Sequence, residues 1–200
     1  MAKDTVRVLA FDPGINFMGW ALLEYRCSTG AITVLKYGTL NGTSLTRKLK
    51  ELLQLYTKSF VTLEAYEMVI EDMIREMKPD EVVSEDAFFH KFPQTYGSLL
   101  LIIHTIRRMT RKTLNKAVHI VAPMETKKVI TGKGNRVEKQ DMRDGVLNRT
   151  HVNLLEVDSF PLEKADEHAI DAIGHGTTFI VKFLPDILSA RLCEEIKLAA

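Results

Sequence analysis

Residues 5–40 constrain this chain more than any other stretch, because three strand-like runs follow one another with only short connections between them. "TVRVLAFD" (5–12) alternates with β-branched residues, and "GWALLEYR" (19–26) and "AITVLKYGTL" (31–40) follow as two more strands, the last two joined by "CSTG" as a hairpin turn. Strands this close in sequence leave no room for a crossover helix and are expected to pair antiparallel. The pattern then changes period. Apolar residues recur at helical spacing from Ser44 in "SLTRKLKELLQLY" and again in "LEAYEMVIEDMIREM", which "KPD" ends. "EVVSED" (81–86) is a short buried strand between acidic flanks. "QTYGSLLLIIHTIRRMTRKTLNK" (94–116) is a long helix whose first half is apolar almost all round, so it is buried on more than one side, within the core or against a partner. "AVHIVAP" (117–123) makes a fifth strand, and residues 124–150 read as a short helix, a glycine-containing basic loop and another helix. "PLEKADEHAIDAIGHGTTFIVKFL" (161–184) is a long helix, and Pro185 begins a last one.

Three strands followed by helices alternating with two further strands is the order of a ribonuclease H-like α/β fold, a five-stranded mixed sheet with helices on both faces. At 200 residues the chain suits one such domain spanning 1–200. In this topology the first and fourth strands lie side by side, which brings Asp12 to the end of "VVSED".

That juxtaposition matters because phosphodiester chemistry with two divalent ions needs several anionic ligands from different elements, converging where two ions about 3.5–4 Å apart are to be held. Asp12 ends the first strand and Glu85 the fourth. In "DEHAIDAIGHG", His168 and Asp171 are three residues apart and share a helical face. Each also has a plainer reading: Asp12 before Pro13 and Gly14 as a turn former, Glu85 as a solvated loop acid, His168 as a structural histidine. His175 shares the face of His168 but lies ~10 Å along the helix from it, and reads as structural.

The 27 basic and 26 acidic residues leave a formal net charge of +1, so overall charge makes no case for nucleic acid. Distribution does: "RRMTRK" and the set Lys127, Lys128, Lys133, Arg136, Lys139 and Arg143 around the glycine loop form two dense positive clusters. Cys27 and Cys193 have no metal-ligand spacing and make no disulfide framework. The N-terminus carries no secretory pattern and the longest apolar run falls short of a bilayer span, so a cytoplasmic protein without membrane attachment is expected.

Four stretches resemble, in order, the motifs of the RuvC family of Holliday junction resolvases. "LAFDPGINFMGWALLE" is similar to its opening aspartate-proline-glycine motif, and "PDEVVSEDAFF" to its strand-ending glutamate with an aromatic close behind. "KKVITGKGNRVEKQDM" is similar to its valine-threonine-glycine-x-glycine loop with a lysine-glutamine helix, and "HAIDAI" to its C-terminal motif, in which histidine is a known form of the first ligand. The resemblance implies a homodimeric Mg2+-dependent endonuclease, with Mn2+ able to substitute, that nicks four-way (Holliday) junctions and related branched DNA symmetrically. It implies Asp12, Glu85, His168 and Asp171 as metal ligands, Lys127 toward the phosphates, and Phe88 stacked on a base near the junction centre, while Lys133 is expected beside Lys127 from the basic cluster around the loop. One extra residue follows the loop glycines, so either Arg136 or Lys139 takes the family's basic position. Two other readings remain: a structural dimer that binds junctions without cutting, and an actin or sugar-kinase-like phosphotransferase. The latter needs a second Asp-x-Gly loop that a chain this short does not show.

Overall fold

The structure, a computed structural model, describes residues 3–87, 93–134, 136–148, 154–155 and 161–199. β1 (Thr5–Asp12), β2 (Phe17–Arg26) and β3 (Ala31–Asn41) form the antiparallel meander, and β4 (Glu81–Glu85) and β5 (His119–Val121) add in parallel beyond β1. The five expected strands are extended by a two-residue sixth, β6 (Leu154–Leu155), parallel to β3, giving the order β5-β4-β1-β2-β3-β6.

The central strands are buried on both faces, and their alternation sorts side chains between two cores. Val8 and Ala10 of β1, with Leu23, Val83 and Val121, meet Ile170, Ile173 and Phe179 of α6 (Glu167–Lys182). Leu9 and Phe11, with Met18, Leu22 and Val82, meet α2 (Lys58–Met77) and α3 (Pro93–Leu114) through Tyr66, Ile70, Ile102 and Ile106. Each fully buried Val, Leu, Ile, Phe or Met among them contributes about 1.5–3 kcal/mol of transfer free energy. α4 (Pro123–Thr131) and α5 (Lys139–Asn148) flank α6, and α7 (Leu184–Ala199) closes the chain. No helix among the described residues is long and apolar enough to cross a membrane.

Several boundaries differ from the periodicity. The helix expected over 44–56 stops early: α1 (Gly42–Lys48), capped by Asn41, is followed by a turn and a 3₁₀ segment at Leu52–Gln54. Leu53, Leu55 and Tyr56 are exposed, so their helical spacing has no core to face. α2 instead starts at Lys58, with the Thr57 hydroxyl accepting from the Phe60 amide. The long helix expected from Pro161 begins at Glu167, because Asp166 caps it by accepting from the Ala169 amide, while Leu162–Lys164 form a 3₁₀ turn. α3 buries Ile102, Ile103, Ile106 and Met109 but leaves Leu100 44% and Leu101 51% exposed.

Candidate active site

The parallel register of β1 and β4 pairs Phe11 with Ser84, so Asp12 and Glu85, one residue further along each, leave the same end of the sheet side by side. α6 lies across β1, β2 and β3 with His168, Asp171 and His175 on the stripe facing these strand ends. Gly19 of β2 permits the approach: a Cβ there would lie 2.0 Å from the His168 carbonyl oxygen. Gly176 does the same one turn past Asp171, where a Cβ would meet Leu23 Cδ1 at 2.5 Å.

Asp12 Oδ2 lies 3.1 Å from His168 Nδ1, and the His168 ring stacks on Phe17 with centroids 5.6 Å apart. On the opposite side His175 Nε2 is 3.6 Å from Glu85 Oε1, while its Nδ1 meets Thr126 Oγ1 of α4 at 2.9 Å. One ligand atom from each of Asp12, Glu85 and His175 falls within 4.8 Å of the others. Asp171 lines the same cleft of about 240 Å³, with Lys127, Glu138 and Lys139.

Burial, and then the charges of Asp12 and Asp171, push the Glu85 carboxyl up to about 8, against the pull of Lys127. Burial and then Asp12 raise Asp171 to about 7, with His168 and Lys139 opposing. The hydrogen bond to Asp12 raises His168, whereas burial lowers His175 to about 4 and keeps it neutral. Crowded carboxylates that resist ionisation, beside a neutral imidazole whose buried Nε2 has no hydrogen-bond partner among the described residues, are a donor set that suits a divalent cation.

The basic residues divide. Lys127 reaches the cleft wall, and Lys139 reaches it while pairing with Glu167 at 2.5 Å. Lys133 pairs with Asp141 at 3.0 Å, outside the cleft lining. Arg136 is exposed in the left-handed region at φ 54°. Arg143 is spent on the carbonyls of Glu163 and Ala165, bracing the entry to α6 rather than facing solvent phosphates. In "RRMTRK", Arg108 and Lys112 pair with Glu67 and Glu71 of α2. Phe88 lies outside the described residues.

His175 is the site residue that sequence reasoning passed over. Its ~10 Å separation from His168 along α6 is no bar, because Glu85 approaches from a different strand than Asp12. The visible signal was the stripe itself, 168, 171 and 175 on one face, with Gly174 and Gly176 flanking the last member. Thr126 carried no signal, since its role depends on how α4 packs against α6.

No family model matches the sequence. Among curated proteins it is 28% identical over 173 residues to a crossover junction endodeoxyribonuclease RuvC of Caldanaerobacter subterraneus subsp. tengcongensis, covering 85% of this chain and 92% of that protein. It is likewise 28% identical over 176 residues to the RuvC of Chloroflexus aurantiacus, covering 86% and 94%. The chain is thus similar to RuvC proteins along most of its length and most of theirs. The backbone agrees. Thermus thermophilus RuvC superposes with a TM-score of 0.62 at 15% identity, over 86% of this chain and 92% of that one. The yeast mitochondrial Holliday junction resolvase Ydc2 superposes at 0.57 with 10% identity, over 88% and 78%. The ribonuclease H-like architecture is therefore shared with RuvC.

Proposed function

We propose that this chain is a divalent-metal-dependent endonuclease that resolves four-way DNA junctions, and related branched DNA, by paired symmetric nicks delivered by a homodimer. One observation carries the reading: three carboxylates from three elements, Asp12, Glu85 and Asp171, are driven together at the floor of a lysine-rimmed cleft. Folding gains nothing from such crowding, which suits a place reserved for cations. The curated relatives named as crossover junction endodeoxyribonucleases, and the structure of T. thermophilus RuvC in complex with a Holliday junction, favour this substrate over other phosphodiesters.

Asp12 and Glu85, on adjacent strand ends, and Asp171, on α6, would hold Mg2+ or, in its place, Mn2+. When bound, such ions supply an activated water and neutralise charge at the leaving 3′ oxygen. The protein's own groups do the positioning. His168 fixes the Asp12 carboxylate through the 3.1 Å contact, and Phe17 stacks on a face of the His168 ring, limiting its rotation. Lys127, in the cleft wall, meets the phosphate that enters, and Lys139 exchanges Glu167 for phosphate from the opposite lip. Leu100 and Leu101 on α3 form an exposed apolar pair that a second copy would cover, and a two-fold dimer would present two such clefts for the two nicks.

A labelled synthetic four-way junction tests this. Purified protein with Mg2+ is expected to cut it by paired nicks, and Asp12→Asn to abolish cutting while binding survives. Binding without cleavage by the unmutated protein would favour the structural dimer, and ATP hydrolysis independent of DNA the phosphotransferase.

A further inference from the structure

We infer that His175 supplies a nitrogen ligand to the ion held by Asp12 and Glu85, making this part of the site a mixed imidazole and carboxylate centre that binds Mn2+ in preference to Mg2+. The inference rests on the metal-site reading above and specifies which ion its inner position favours.

The geometry leaves His175 little else to do. It is 3% exposed, on a helix held close to the sheet by Gly176. Its Nδ1 is taken by Thr126 Oγ1 at 2.9 Å, which orients the ring as an outer partner orients a ligating histidine. The other nitrogen, Nε2, is buried without a hydrogen-bond partner among the described residues and faces the carboxylates. At 3.6 Å from Glu85 Oε1 it is too far for a hydrogen bond, and a ring nitrogen of His175 falls within 4.8 Å of a carboxylate oxygen from each of Asp12 and Glu85. Ligands about 2.0–2.4 Å from one ion are spaced this way. His168 is the weaker nitrogen candidate, because its Nδ1 is committed to Asp12 and its ring is one-third exposed against Phe17.

Ligand chemistry then sets the preference. Mg2+ takes oxygen ligands in near-ideal octahedral geometry and dehydrates reluctantly, so an imidazole in its shell is a poor exchange for water. Mn2+ accepts carboxylate and imidazole together, and later divalent ions bind nitrogen more strongly still.

Pulsed EPR of the Mn2+-loaded protein without DNA, paired with calorimetric titration by Mn2+ and Mg2+, tests the inference. A directly coordinated 14N coupling is expected in the unmutated protein, lost in His175→Leu and retained in His168→Ala. Mn2+ affinity is expected to fall at least about tenfold in His175→Leu, and Mg2+ affinity less than about threefold. If His175→Leu does not fold, as thermal unfolding in chelator would show, His175→Gln takes its place, and retention of the coupling in His168→Ala carries the assignment. Three results would overturn the inference: bound Mn2+ with no 14N coupling, a coupling that disappears in His168→Ala, or equal losses for both ions. Mn2+ bound through Asp12 without nitrogen sinks the role of His175 alone. No binding of either ion sinks the metal-site reading with it.

Discussion

Without a divalent ion the site should oppose folding, and Glu85→Gln should relieve it. The carboxyl of Glu85 is pushed from 4.5 to about 8 by burial and by the charges of Asp12 and Asp171. At ~1.36 kcal/mol per pKa unit that is at most about 5 kcal/mol against the ionised form above pH 8. The amide must still be desolvated, and Asp171 keeps its own repulsion with Asp12, so about 2 kcal/mol is the expected gain. For a chain of this size that raises Tm by roughly 4–8 °C. A carboxyl with a raised folded pKa keeps its proton where the unfolded chain has lost it, so stability of the unmutated protein falls as pH rises from about 4.5 through about 8. The advantage of Glu85→Gln should therefore be largest at pH 8.5 and vanish near pH 5, where both side chains are neutral. Thermal and urea unfolding at the two pH values, in chelator and with Mg2+, measure this; the added ion should stabilise the unmutated protein and leave the variant behind. A variant less stable than the parent at pH 8.5 in chelator, or a difference independent of pH, would refute the reasoning.

Other perturbations follow from single contacts. Gly19→Ala puts a methyl group where the His168 carbonyl stands and should destabilise by about 1–3 kcal/mol while lowering junction cleavage more than junction binding, seen by comparing unfolding with both assays. Glu81, 2% exposed in β4, resists its own burial through hydrogen bonds from His119 and Arg191 and the charge of Lys116, which bring it down to about 2. Its stabilisation is present above about pH 4.5 and lost as pH falls toward 2, and Glu81→Gln should cost about 3 kcal/mol at pH 7 in urea unfolding. Lys127→Ala should weaken junction binding and lower the slope of log affinity against log salt by about 1, measured by fluorescence anisotropy.

The first five strands, and the adjacency of the first and fourth, were legible because alternation over residues 5–40 and the short runs at 81–86 and 117–123 leave few ways to pair, and the strand ends then point to Asp12 and Glu85. The shared face of His168 and Asp171 was legible because an i, i+3 pair on a helix needs only local geometry. What was not legible depends on tertiary contact. The helical spacing of Leu53 and Leu55 promised a continuous helix, but no partner surface meets it and the chain turns before Thr57. Asp166, within the long helix expected from Pro161, is instead the cap that starts the helix at Glu167, and is also bonded to Thr39 across the sheet edge at 2.6 Å. Arg143 counted among the phosphate-facing bases until the fold set it against two carbonyls. His175 was discounted by distance along its own helix, a measure that ignores the neighbouring strand bringing Glu85 to it.

The most direct test of the proposed activity is cleavage of a supercoiled plasmid that extrudes a cruciform. A dimer placing two Asp12, Glu85 and Asp171 sites across one junction should convert it to linear duplex in a single encounter with Mg2+ or Mn2+, and Asp12→Asn should leave it supercoiled but bound. Open circles alone, equal cutting of a plasmid without the cruciform, or linear product from Asp12→Asn would contradict the account.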